Sequence, residues 1–160
     1  MKEITIYTDG ACRGNPGPGG YGCILQYTDG TGRTHTKEFS AGFRETTNNR
    51  MELLAAIVGL EALRENCRVT LYSDSQYLVN AFRLGWLKKW RANDWYRDAK
   101  KKEEVKNKDL WQRLDRLMDF HEVEFHWVKG HAENPYNNRC DEMAVAAALD
   151  TVHHKIDGGQ

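Results

Sequence analysis

Residues 69–74 read VTLYSD, and how this short run is entered and left decides the fold. Val69 and Leu71 alternate with Thr70 and Tyr72, the period of two expected of a strand, and the run stops on Asp74. Ahead of it, Leu53, Ala56, Ile57, Leu60 and Leu63 recur at helical spacings, which predicts a helix from about Thr47 to Asn66. Behind it, Ser75 to Phe82 patterns as a helix again. A strand reached through a helix and left into another belongs to an α/β unit, and its crossover is right-handed.

The strand it returns to is KEITIYTD, residues 2–9, where Ile4, Ile6 and Thr8 share a face and Asp9 ends the alternation. DGACRGNPGPGG (9–20) is too rich in glycine and proline for a helix or central strand and is read as a loop. YGCILQY (21–27), the turn TDGTG (28–32) and RTHTKEFS (33–40) then complete an antiparallel meander. EVEFHWV (122–128) is the last strand, and a final helix runs from about Asn138 to Leu149. Three meander strands followed by two reached through helices give an α/β fold with a five-stranded mixed sheet, expected order 3-2-1-4-5. The first and fourth strands are then parallel neighbours, with Asp9 and Asp74 on the edge where open α/β sheets bind ligands.

Two more acids flank this edge in the chain: Glu52 in the first turns of the long helix and Asp141 near the start of the last one. Each alone reads as a turn residue or a first-turn helix acid that suits the helix dipole. Two strand-end carboxylates about 4.8 Å apart can instead share a divalent ion. A gathered acidic pocket needs such an ion to be tolerable. Because every ligand is oxygen, magnesium fits better than zinc, and two ions about 3.5–4 Å apart point to phosphoryl transfer. The four cysteines, Cys12, Cys23, Cys67 and Cys140, lack metal-type spacing and read as reduced thiols.

The net charge of zero hides a division. Residues 83–108 hold ten basic and four acidic side chains, so this stretch carries +6 and the remainder −6. One part of the molecule is suited to anions and another holds carboxylates. No apolar run approaches a membrane span. MKEITIYT enters a strand directly without a basic and apolar leader, which implies a cytoplasmic protein. His131 lies in a glycine-hinged loop where a histidine can move a proton near neutral pH. Trp111 and Trp127 are expected in the core. Residues 1–150 are read as one catalytic domain with a basic protrusion over 83–108, and 151–160 as a frayed tail.

Five blocks carry a closer likeness: YTDGACRGNPGPGGYG (7–22), TTNNRMELLAAI (46–57), LYSDSQYLVN (71–80), KNKDLWQRL (106–114) and VKGHAENPYNNRCDEMA (128–144). In this order they resemble bacterial-type ribonuclease H of type 1, from about Ile4 to Ala148. The resemblance implies the ribonuclease H fold. It implies a magnesium-dependent endonuclease, with manganese as an acceptable substitute, that cuts the RNA strand of an RNA–DNA hybrid and leaves 5′-phosphate and 3′-hydroxyl ends. The family's metal-binding set falls on Asp9, Glu52, Asp74 and Asp141, and its mobile histidine on His131, with proton transfer and product release both open. Cys12 and Asn15 correspond to substrate contacts in the glycine-rich loop. Asn48 and Gln76 correspond to minor-groove readers, and Asn49 to a contact on the DNA side. Thr47 and Asn107 correspond to a pocket for a DNA phosphate. Trp86, Lys88, Lys89 and Trp90 belong to the protrusion, where Trp86 is expected to face substrate and Trp90 and Trp95 lean structural. Asn137 corresponds to a support for the site.

Three departures are visible. Glu45 stands where some relatives have an arginine in the phosphate pocket, RANDW (91–95) is less basic than the usual run, and the turn at 28–32 is extended. Weaker and more salt-sensitive hybrid binding is the expectation. No obligate protein partner is implied, and a monomer is expected. A DNA-cutting nuclease of the resolvase or integrase kind and a non-catalytic hybrid-binding module remain the competing readings.

Overall fold

The structure is a computed structural model that describes residues 1–129 and 134–158. Its sheet has five strands: β1 (Lys2–Cys12), β2 (Gly17–Thr28), β3 (Thr34–Thr46), β4 (Cys67–Ser73) and β5 (Glu122–Trp127). Their order is β3-β2-β1-β4-β5, as the crossover argument requires. β1 pairs antiparallel with β2 and parallel with β4, where Tyr7 is the register partner of Tyr72. The helices are α1 (Asn48–Glu61), α2 (Gln76–Arg83), α3 (Trp86–Ala92), α4 (Lys108–Phe120) and α5 (Pro135–Leu149). None of the described helices is long and apolar enough to cross a membrane.

The sheet separates two packing layers. Ile4, Ile6, Val69 and Leu71 point to one face and form the main core with Leu53, Ile57 and Leu60 of α1 and Leu110, Trp111 and Leu114 of α4. On the other face α5 lies over β1, β2 and β3. The helix α4 was not read from the sequence, although Leu110, Trp111, Leu114, Leu117 and Met118 recur at helical spacing.

The glycine-rich stretch departs from its reading as a loop. β1 continues to Cys12 and β2 begins at Gly17, which leaves only residues 13–16 as connection. The glycine that closes the stretch, and others beyond it, serve close packing: a Cβ on Gly20 would come within 2.5 Å of the Ala144 carbonyl oxygen. A Cβ on Gly22 would come within 2.3 Å of the Cys140 carbonyl oxygen, and one on Gly42 of β3 within 2.1 Å of the Ala147 carbonyl oxygen. Bare backbone on these strands is what allows α5 to settle so low on the sheet.

The frayed-tail expectation needs correction for residues 151–158. Lys155 bridges to Phe43 beside β3, and Asp157 is buried. Asp157 accepts hydrogen bonds from Thr46 Oγ1 (2.6 Å) and from Arg50 Nε and Nη2 (2.7 and 2.9 Å). Backbone hydrogen bonds of Lys155 with Arg44 and Gly42 (both 2.9 Å) hold the segment to β3 alongside this buried ion pair. Trp127 also departs: it is 42% exposed, while Trp111 is fully buried as expected.

Candidate active site

The parallel pair of β1 and β4 delivers Asp9 and Asp74 to the same sheet edge, and α1 lowers Glu52 onto them. Thr47 caps α1 by accepting a hydrogen bond from Arg50 N (3.3 Å), so the helix begins where its first turns overhang the strand ends. Ligand oxygens of Asp9, Glu52 and Asp74 all lie within 4.8 Å of one another. Asp9 and Glu52 are only 5% and 4% exposed. Asp141 of α5 stands outside this trio but near enough for its charge to act on Asp9.

The electrostatics follow from crowding. Burial, and then the Asp74 charge, push the Asp9 carboxyl up to about 8, against the Gly10 amide that favours its ionised form. Burial, and then the charges of Asp9 and Asp74, push Glu52 well above the usual carboxylate range. Glu52 Oε2 is buried without a hydrogen-bond partner. An orphaned oxygen in an all-carboxylate cluster is the donor set of a hard divalent cation, so the residues fit one.

Trp127 is a site residue that sequence reasoning missed. Its Nε1 donates to the Asp74 carbonyl oxygen (3.1 Å), which ties the end of β5 to the backbone that carries the carboxylate. The indole had been assigned to the core because the alternation in β5 put it on the inner face. Its place in the last register pair of the sheet, opposite Ser73, shows otherwise. Asn137 is buried, and its Nδ2 donates to the Thr8 carbonyl oxygen (3.4 Å), directly before Asp9.

The remaining assigned residues fall into three places. Around the loop, Cys12 Sγ turns back onto the Gly14 carbonyl oxygen (2.7 Å), while Asn15 Oδ1 accepts from the Asn48 amide (3.0 Å). The loop is thereby fastened to the first turn of α1, where Asn48 and Asn49 are exposed. Gln76, first in α2, is exposed as well. Near Thr47 lies a second network centred on Arg50, a residue that no sequence argument had singled out. Arg50 Nη1 donates to Asn107 Oδ1 (3.3 Å), and its two terminal nitrogens reach Asp109 at 2.9 and 2.7 Å. Asn107 also donates to the Tyr77 hydroxyl (3.1 Å) and holds a left-handed backbone at φ 60°. Neither Asp109 nor Asp157 has a local signal that would have predicted this hub.

On the protrusion, Lys88 and Lys89 are exposed. Trp86, Trp90 and Trp95 are all half-buried against the core cluster, and Trp90 meets Trp111 edge-on at 5.3 Å. The local charge is partly neutralised, with Asp94 pairing to Lys101 (2.6 Å) and Glu103 to Arg97 (2.9 Å). His131 lies outside the described residues.

Comparison with known proteins agrees with this geometry. The RNase H family model matches residues 1–149. Ribonuclease H of Desulforamulus reducens is 65% identical over 148 residues, covering 92% of this chain and 89% of the relative. Ribonuclease H of Syntrophus aciditrophicus is 58% identical over 148 residues, covering 92% and 82%. Among solved structures, LC9-RNase H1, a type 1 RNase H with the type 2 active-site motif, superposes with a TM-score of 0.82 at 32% identity, covering 92% of this chain and 72% of that one. LC11-RNase H1 in complex with an RNA/DNA hybrid gives a TM-score of 0.67 at 28% identity, covering 93% and 99%. With the sheet order, the acidic edge and near full-length likeness in agreement, the chain belongs to the ribonuclease H family.

Proposed function

We propose that this chain hydrolyses the RNA strand of RNA–DNA hybrids, using divalent cations held by Asp9, Glu52, Asp74 and Asp141 and leaving 5′-phosphate and 3′-hydroxyl ends. The observation that carries the reading is the gathering of three carboxylates from β1, α1 and the end of β4 within 4.8 Å. Bound magnesium would neutralise this cluster and supply Lewis-acid activation of the attacking water and of the departing 3′-oxygen. Manganese would serve the same donor set.

The chain's own residues do the rest. Asp9 would help hold both cations, Glu52 and Asp74 the one that activates the attacking water, and Asp141 the one that stabilises the departing oxygen. Asn48 and Gln76, exposed at the openings of α1 and α2, suit a 2′-hydroxyl, which both donates and accepts as an amide does. Reading there is largely insensitive to sequence. Asn49 is assigned to the DNA side, and Cys12 and Asn15 offer loop contacts. Thr47 and Asn107, both bonded to Arg50, are assigned to grip a DNA phosphate. Trp86, Lys88, Lys89 and Trp90 extend the surface along the backbone of the duplex, holding phosphates by charge. His131 is assigned to proton transfer or product release, and Asn137 to supporting the strand end of β1. The protein is proposed to act as a cytoplasmic monomer without an obligate protein partner.

The test uses one labelled sequence prepared as RNA–DNA hybrid, RNA duplex, DNA duplex and single-stranded RNA, with magnesium or with EDTA. Cutting confined to the RNA strand of the hybrid, and stopped by EDTA, is expected. Cutting of DNA would move the chain to the resolvase or integrase side of the fold. Hybrid binding without cutting would make it a binding module.

A further inference from the structure

The first two turns of α5 are keyed to one dipeptide of β1. Asn137 Nδ2 donates to the Thr8 carbonyl oxygen (3.4 Å) and Cys140 Sγ to the Tyr7 carbonyl oxygen (3.3 Å). The ring of Tyr136 stacks on that of Tyr7 with centroids 4.9 Å apart and planes at 27°. All three contacts end on Tyr7 and Thr8, immediately before Asp9, and Cys140 immediately precedes Asp141. The spacing between Asp141 and the other three carboxylates is therefore set here. The amide's hydrogen bond is long and a thiol is a weak donor, so both constrain weakly. The stacked ring pair adds an attraction, beyond the area it buries, that holds the two elements at a fixed separation.

The stack continues past Tyr7. Tyr7 lies on Tyr72 at 5.3 Å and 12°, and Tyr72 meets His126 at 5.4 Å. Tyr7 and Tyr72 are register partners on the two central strands, and each stands one full pleat ahead of its carboxylate, Asp9 or Asp74. Four rings from β1, β4, β5 and α5 thus form a column that links the three elements supplying Asp9, Asp74 and Asp141. At 40% exposed, Tyr136 is more open to solvent than a residue kept for core burial alone.

We infer that Tyr136 is a positioning residue: through its stack on Tyr7 it fixes the separation between Asp141 and the Asp9–Glu52–Asp74 trio, and so sets how tightly the fourth carboxylate engages the divalent cation. This rests on the metal-dependent hybrid cleavage proposed above. Supporting groups that orient metal ligands alter affinity by about 10–100-fold when removed.

The full chain is compared with Tyr136→Ala, Tyr136→Phe and, as a matched loss of an exposed apolar side chain on the same helix, Val145→Ala. Manganese binding is followed by electron paramagnetic resonance without substrate, and hybrid cleavage is titrated with magnesium. Tyr136→Ala is expected to weaken manganese binding and raise the magnesium midpoint, each on the order of tenfold. KM for hybrid at saturating metal should stay near that of the unmodified chain. Tyr136→Phe should restore both metal readouts, and Val145→Ala should leave them unchanged. Metal readouts for Tyr136→Ala that match the unmodified chain, or a Phe variant as defective as the Ala variant, would overturn the positioning role. An unmodified chain that cuts no hybrid in magnesium would remove the functional reading, and this inference with it.

Discussion

At Asp9, burial and the neighbouring Asp74 charge both oppose ionisation, and the carboxyl is pushed from an ordinary 3.8 up to about 8. The folded, metal-free protein therefore holds a proton that the unfolded chain has already released. Stability from this group is fully present below about pH 4 and is lost as pH rises towards about 8. Thermal melts in EDTA should show that decline, and Asp9→Asn should make it shallower, because an amide neither titrates nor repels Asp74, while the buried Glu52 keeps its own contribution. The same variant should abolish cleavage while remaining folded and still binding hybrid. Near-normal turnover from purified Asp9→Asn protein would remove the metal assignment. Asp9 and Asp74 were legible because each closes an alternating apolar run and a carboxylate there stands out, although β1 itself continues past Asp9 to Cys12. Arg50 and Trp127 were not legible, because the meaning of each lies in a partner brought near by tertiary packing, over 100 positions along the chain for Arg50 and Asp157.

Among the elements, α5 was readable in outline, while its seat was not. Gly22 reads as one more residue of the strand YGCILQY, and Gly42 carries no local signal. Their use is visible only once the Cys140 and Ala147 carbonyls are found against the bare backbone of Gly22 and Gly42. Gly22→Ala should force α5 away from the sheet and cost about 1–3 kcal/mol, the usual range for overpacking. Activity should fall further than stability, since Asp141 moves with the helix, and urea melts beside rate measurements would separate the two effects. α1 depends on Arg50 in a comparable way. Its side chain is 3% exposed and faces Asp157 at 7%, so Arg50→Ala removes the opposite charge and two hydrogen bonds from a buried carboxylate. A loss of about 3–5 kcal/mol is expected from chemical denaturation, together with weaker hybrid binding, because Asn107 loses the donor that holds its side chain.

For the whole molecule, the sheet order followed from chain direction and crossover hand alone, and the uneven charge from counting. The hybrid should feel that charge. Replacing Lys88 and Lys89 with alanine should weaken binding and make the salt dependence shallower by about 0.9 for each phosphate contact removed. Electrophoretic titration of the hybrid at several salt concentrations reads this directly, and an unchanged slope would place both lysines off the substrate path. The docked C-terminal segment was beyond sequence reading, since a single aspartate in a patternless stretch looks like any other exposed acid. Its docking and the direction of β1 also decide how the protein should be handled. β1 starts at Lys2 and reaches Asp9 seven residues later, so a tether leaving the N-terminus departs about 23 Å from the carboxylates, at the far edge of the sheet. The last described residues, docked through Asp157, lie instead beside Arg50 and the residues assigned to the DNA phosphate, so an anchor attached within that segment starts there. Immobilised through its N-terminus, the enzyme would present an unobstructed site to the duplex; held through that segment, it would meet the duplex with its own anchor in the way.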